Sequence, residues 1–276
     1  MRKQISILVS ALLLLGLAAC QRENVPVQEE SCEVSFNVGL DVTKAIGDGS
    51  LATRLYVGIF DPDNKNAQVG ETLVMNSDNQ TWAPSFTLIR GKNYTAAFWA
   101  QNPANGALYS LEGGVVTMNQ FALENVEGKD YSDAFFAVVP FIAGEKNSPV
   151  QLSRPFAQVN VLVPATEHAT LMAEGAKATQ FDITFSDGEG FPTGLNLLTG
   201  EVIRNAASSK QGFGAADTPL RTLEDGSNKY IATAYVLCGT SPTTVKLDFT
   251  IGTHAKSVSD VSIQRNRQTK IIGSIL

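Results

Sequence analysis

Glu33-Val34-Ser35-Phe36-Asn37-Val38-Gly39-Leu40-Asp41 alternates between two kinds of residue. Val34, Phe36, Val38 and Leu40 fall on one side, and Glu33, Ser35, Asn37 and Asp41 on the other. A period of two is that of a half-buried strand. The same signal recurs along the chain. Leu55, Val57 and Ile59 share a face, with Tyr56 and Phe60 opposite. Residues 84–101 read as a hairpin: Phe86 and Leu88 lead to Arg90-Gly91-Lys92-Asn93, and Tyr94, Ala96 and Phe98 return with Trp99 on the other face. Residues 134–141 form a dense apolar run, the pattern of a strand covered on both sides. Ala157, Val159, Val161 and Val163 line one face of the longest strand candidate, 152–163. Phe181, Ile183 and Phe185 alternate, as do Val245, Leu247, Phe249 and Ile251, and a Thr199-Gly200 turn breaks the apolar stretch 191–203. The best helix candidate is 167–177, weakened by Gly175. Many short strands with turn signals between them, and at most one or two short helices, predict an all-β antiparallel sandwich architecture.

The clearest break in apolar pattern is 204–228, rich in Asn, Ala, Ser, Lys, Gly, Asp and Pro. It predicts a linker between an N-terminal β-sandwich domain at 33–203 and C-terminal strands, or a small second β domain, at 229–276. Residues 102–133 are weakly patterned.

Upstream, Arg2 and Lys3 precede the apolar run from Ile5 to Leu17, which ends in Leu17-Ala18-Ala19-Cys20. A positive start, an apolar middle and small residues before a cysteine make a lipoprotein signal peptide over 1–19, with Cys20 as the lipid-attachment residue. Each buried acyl CH₂ adds about 0.8 kcal/mol of membrane affinity. The apolar run is too short to span a bilayer. Residues 20–32 then form a lipidated tether. The chain carries a formal net charge of −6 and no basic cluster, which argues against nucleic acid as a partner.

Cys32 and Cys238 are the remaining cysteines. An exported location permits a disulfide between them; two separate buried thiols are the other reading. With only His168 and His254, and no cysteine pair at ligand spacing, no metal site is expected, and no cofactor beyond the covalent lipid. Neither a G-x-S-x-G elbow nor a phosphate-binding glycine loop is present, so no enzyme is expected. Asp61-Pro62-Asp63-Asn64-Lys65-Asn66 starts like a calcium loop, but Lys65 puts a cation where an oxygen ligand is needed. Trp82, Trp99, Tyr94 and Tyr109 are the aromatic candidates for stacking on a sugar ring, set against core packing.

Four motifs then resemble the fimbrillin-type lipoproteins of the Bacteroidales. They are the lipobox with its tether; Thr43-Lys44-Ala45 after the first strand; Leu152-Ser153-Arg154-Pro155-Phe156-Ala157-Gln158-Val159; and Gln264-Arg265-Asn266-Arg267-Gln268-Thr269-Lys270-Ile271 near the end. The Phe191-to-Val202 stretch is also similar to uncharacterised members of that group. The resemblance implies tandem antiparallel β-sandwiches of the transthyretin- or Ig-like Greek-key type. It further implies an outer-membrane lipoprotein at the cell surface or in a fimbrium, with a structural or adhesive role as pilus subunit, anchor or tip. Its partners would be the membrane, other fimbrial subunits and a host or glycan ligand. Assembly would proceed by strand exchange, a form of β-augmentation. Val34, Phe36, Val38 and Leu40 would be the exchanged strand, and Lys44 or Arg54 the proteolytic maturation site. The alternative is a lipid-anchored glycan-binding β-sandwich module.

Overall fold

The alternation at 33–41 becomes two short strands, Ser31–Ser35 and Val38–Leu40. Val34, Phe36 and Val38 are buried, Leu40 is half-buried, and Glu33, Ser35 and Asn37 are exposed. Ser31–Ser35 pairs with Ser85–Ile89, and Val38–Leu40 runs parallel to Val150–Leu152. The computed structural model describes residues 29–42, 47, 49–105, 108–124, 130–214 and 217–276. Residues Cys32–Leu276 form one unit; of the preceding Met1–Ser31, only 29–31 are described. The leader, Cys20 and Lys44 therefore lie outside the described residues.

A five-stranded sheet faces the first strand. Its central strand, Asn93–Gln101, pairs with Ala134–Ile142 on one side and Arg54–Asp61 on the other. Arg54–Asp61 in turn pairs with Ala67–Gln68 and Leu73–Asn76. Period two divides its residues between two cores. Leu55, Val57, Ile59, Ala96, Phe98 and Ala100 join Val34, Phe36 and Val38 in an N-terminal core. Phe60, Ala97 and Trp99 enter a middle core on the opposite face, with Tyr109, Val116, Phe156 and Tyr235. Both faces are covered, which explains the unbroken apolar run near residue 135.

A four-stranded sheet, ordered Val202–Asn205, Phe191–Asn196, Val115–Met118, Tyr109–Glu112, contributes Leu195, Val116 and Tyr109 to the middle core. Beyond it two further sheets enclose the C-terminal core. One runs Leu123–Glu124, Asn228–Leu237, Phe156–Pro164, Arg267–Ile272, the last pair parallel, with Glu224–Asp225 also on Asn228–Leu237. The other runs Lys210–Gly212, Lys177–Phe185, Thr243–Ile251, His254–Ile263, with Thr218–Pro219 also on Lys177–Phe185. Between them lie Val159, Val161, Val163, Phe181, Ile183, Ile231 and Phe249. The protein is thus mostly antiparallel β, with one α-helix, Ala165–Ala173, among the described residues. That helix stops four residues short of the sequence expectation, at a capping turn: Gly175 takes φ 65°, and its N–H donates to the Met172 carbonyl. No helix among the described residues is long and apolar enough to cross a membrane.

Two sequence expectations are corrected by strand partners. Residues 84–101 do not form a hairpin: Ser85–Ile89 pairs with the first strand and Asn93–Gln101 with a different sheet, so the turn at Gly91 arches between layers. The stretch 204–228 is not a linker. It supplies paired strand segments at Lys210–Gly212, Thr218–Pro219 and Glu224–Asp225, and Phe213 and Leu220 are buried in the C-terminal core. Asn228–Leu237, after it, hydrogen-bonds along the length of Phe156–Pro164, before it. The change of sheet falls instead between Val150–Leu152 and Phe156–Pro164. Tyr230 to Leu276 completes sheets already begun and is no separate unit.

Candidate functional site

The first strand and the residues that hold it form the most distinctive arrangement in the N-terminal half. Phe36 meets the Phe98 ring edge-on at 5.3 Å and the Phe141 ring at 5.1 Å. Burying a side chain of that size contributes about 1.5–3 kcal/mol. The main chain is held more sparsely. Phe36 N–H donates to the Pro84 carbonyl at 3.0 Å, Val38 and Trp82 exchange bonds of 2.9 and 3.0 Å, and Asp41 N–H donates to the Leu152 carbonyl at 2.7 Å. The strand is an apolar strip seated over a core, with short pairings at each side.

Arg54 does not lie in an exposed loop behind this strand. It opens Arg54–Asp61 and is paired to Asn76 on one flank and Gln101 on the other, and its Nε donates to Asn76 Oδ1 at 3.0 Å. A protease must bind an extended, unpaired segment, so Arg54 is corrected as a cut site. Lys44 remains the other candidate.

Where the chain passes from the N-terminal to the C-terminal sheets, Glu124, Asp130, Asp133, Arg154 and Arg221 are all buried. Arg154 Nε donates to both Asp133 oxygens, at 2.8 and 3.0 Å, and Nη2 to Oδ2 at 2.6 Å. Arg221 Nη1 reaches Asp130 Oδ1 at 2.8 Å, and the Arg221 carbonyl contacts His168 Nε2 at 2.7 Å. Glu124 accepts the N–H groups of Ser132 and Tyr131 at 2.7 and 3.0 Å, and the Tyr109 hydroxyl donates to the Ser132 carbonyl. Burial pushes the Asp133 carboxyl up to about 7, with Asp130 and Glu124 adding to the rise and Arg154 opposing it. Burial also raises Glu124. Residues 102–133 carry no strong strand or helix pattern, which hid three of these acids; the sequence signal was Asp130-Tyr131-Ser132-Asp133 set directly before an apolar run.

The other sequence candidates find structural places. Trp82, Trp99, Tyr94 and Tyr109 are all buried, so none offers a face to a sugar. Trp99 Nε1 donates to Gln101 Oε1 at 2.7 Å. Asp61 accepts from Lys92 Nζ at 2.7 Å and from Asp63 N–H at 3.1 Å, and so closes a turn. Cys32 and Cys238 are free thiols in different cores, which corrects the expectation of a disulfide. Burial pushes the Cys238 thiol up to about 12. Among the described residues no group of His, Cys, Asp and Glu is placed to hold a metal ion.

Solved structures of adhesin and fimbrial proteins are similar to this fold. A candidate adhesin from Bacteroides ovatus superposes with a TM-score of 0.50 at 12% identity, over 88% of this chain and 87% of that one. The fimbrial anchor protein Mfa2 from Porphyromonas gingivalis aligns at 17% identity with a TM-score of 0.42, over 79% of this chain and 78% of that one. A fimbrial assembly protein from Parabacteroides distasonis aligns at 11% identity with a TM-score of 0.41, over 88% and 91%. No curated protein matches the sequence. Residues 26–276 match DUF6562, a family of unknown function, and the chain belongs to that family.

Proposed function

We propose that this chain is a surface lipoprotein of the fimbrial type, with a structural or adhesive role rather than an enzymatic one. A lipid on Cys20 would deliver it to the outer membrane, and other fimbrial subunits would be its partners. The observation that carries this reading is the first strand. Val34, Phe36 and Val38 are buried in the N-terminal core, yet Ser31–Ser35 and Val38–Leu40 are short and each pairs with one strand. Such a strand can leave and be replaced by another chain's strand with the same alternation, because main-chain bonds and side-chain pockets are both reused. The fold shared with the Bacteroides ovatus adhesin supports the reading at the level of architecture. Lys44, in a segment that follows the strand, would be the cut site.

The test has two arms. Labelled palmitate should enter the protein in a Bacteroidales host and fail to enter Cys20→Ser. Limited trypsin digestion of the folded protein should cut at Lys44 and yield oligomer ladders on a gel. Cut protein that stays monomeric, with residues 31–41 still bound, would defeat strand exchange while leaving the lipid anchor to its own test.

A further inference from the structure

We propose that the cleft beside Arg265 is a binding site for an acidic sugar, with Arg265 holding the carboxylate of a uronic acid residue. Such a site would serve the adhesive role proposed above and rests on that reading, yet it uses no residue of the first strand. The cleft, of about 570 Å³, is built by three loops. Thr199 and Glu201 come from the turn between Phe191–Asn196 and Val202–Asn205. Thr240 and Ser241 come from the loop between Asn228–Leu237 and Thr243–Ile251, and Arg265 from the turn between His254–Ile263 and Arg267–Ile272. Arg265 is half-buried and fixed by neutral groups. Its Nε donates to the Cys238 carbonyl and its Nη2 to the Gly200 carbonyl, both at 2.8 Å, and its guanidinium lies 5.3 Å from the centroid of the Phe136 ring. Among the described residues no carboxylate pairs with it, and Nη1 makes no hydrogen bond. Burial lowers its pKa, opposed by the Cys238 thiol rather than by a carboxylate.

A cation partly removed from water and left without an anion is costly, and two carbonyls orient it without cancelling its charge. Arg204, the other cation of the cleft, is different: it pairs with Asp187 at 3.3 Å and Glu189 at 3.5 Å. Arg265 is therefore the guanidinium left to a ligand. A Cβ at Gly200 would lie 3.6 Å from its Nη1, and Gly200 takes φ 72°, so the turn both favours glycine and keeps a side chain away from that nitrogen. The remaining walls select a polyhydroxylated partner. Thr240 and Ser241 present exposed hydroxyls. The Thr199 hydroxyl donates to Glu201 Oε2 at 3.3 Å and accepts the Glu201 N–H at 3.2 Å, which leaves Oε1 to accept from a ligand hydroxyl. Val202 is the one large apolar side chain on the lining. A peptide strand needs pockets for its side chains, and this cleft has none, so a sugar ring bearing a carboxylate fits better than an acidic peptide.

Calorimetric titration of the full chain with oligosaccharides of galacturonate, glucuronate and mannuronate tests this. At least one should bind. Its methyl ester, which keeps every hydroxyl and removes the charge, should bind about ten- to a hundredfold more weakly, the equivalent of one charged hydrogen bond. The chain's net charge of −6 gives it no general attraction for polyanions, so a preference for the free acid reports a local cation. Arg265→Gln should lose the same factor. Thr240→Val with Ser241→Ala, changes confined to exposed side chains, should weaken binding about three- to tenfold with the urea midpoint unchanged. Arg267→Gln, which removes an exposed cation outside the cleft, should bind as wild type. The site is overturned if none of the oligosaccharides binds, if acid and ester differ by less than about threefold, or if Arg267→Gln costs as much as Arg265→Gln. Tetraglutamate binding as tightly as the sugar would overturn it in favour of an acidic peptide. Failure here leaves strand exchange and the lipid to the trypsin and palmitate tests; sugar binding without ladders would keep the site and remove exchange.

Discussion

A single oxygen of Glu167, Oε1, accepts the main-chain N–H groups of both Ile275 and Leu276, the latter at 2.9 Å. Glu167 stands in the first turn of the helix, where the aligned peptide dipoles favour a carboxylate. Ile275 is 7% exposed in the C-terminal core, and Gly273 N–H donates to the Leu162 carbonyl at 3.2 Å. The Arg267–Ile272 strand is thus held beyond its last paired residue. Glu167→Ala should lower unfolding stability by about 1.5–3 kcal/mol, the range for hydrogen bonds to a charged group. It should also expose residues 273–276 to carboxypeptidase. Glu174→Ala, which removes only a surface contact with His254, should change stability by no more than about 1 kcal/mol. Urea titration and mass spectrometry read both effects; a tail equally resistant in Glu167→Ala would show that the carboxylate does not hold it.

Asp133 links stability to pH. Its carboxyl is raised by burial to about 7, above the ordinary value near 4 that it takes in the unfolded chain. The folded state therefore binds this proton more readily. The stability that goes with it is complete below about 4 and is lost as pH rises through about 7. Unfolding free energy measured in urea at a series of pH values should fall more steeply across this window in wild type than in Asp133→Asn. Parallel slopes would show that Arg154 keeps the carboxyl ionised throughout.

Trp99 is fully buried, edge-on to Tyr109 at 5.3 Å. Trp99→Ala should cost about 3–5 kcal/mol, as other large-to-small core changes do. Phe36→Ala, between Phe98 and Phe141, should fall in the same range. A residue that stacks on sugar from the surface would instead change retardation in polysaccharide gels and leave the urea midpoint alone. That outcome for Trp99 would contradict its place in the core.

Cys238 is buried and its thiol is raised to about 12, so it should resist alkylation in the native protein. Cys32 is half-buried and should be labelled first. Iodoacetamide labelling with peptide mapping, before and after unfolding, separates the two. A cross-linked peptide containing both cysteines would refute their assignment to separate cores.

Strand faces were legible because alternation is local. Val34, Phe36 and Val38 point inward as their spacing predicts, and so do Leu55, Val57 and Ile59, and Phe181, Ile183 and Phe185. Strand partners were not legible. Residues 84–101 have the spacing and turn residues of a hairpin, but alternation says which side chains share a face and nothing about which edge the main chain will meet. The polar stretch 204–228 misled for a related reason: short edge segments such as Lys210–Gly212 need few apolar residues, so their composition is that of a loop.

The buried charges mark the sharper limit. Arg154 stood out in the sequence within a motif, but its partners Asp133 and Gly47 lie 21 and 107 positions away, and Asp130 and Arg221 are 91 apart. No local period connects them. The amino-acid sequence by itself determined that this is a β protein, and which residues of its strands face inward, because both follow from the two-residue repeat of the extended chain. The tertiary structure alone decided which strands pair, where one sandwich gives way to the next, and that Arg154 reaches the residue behind the first strand. Those outcomes depend on hydrogen bonds and charges between segments that only the folded chain brings within bonding distance.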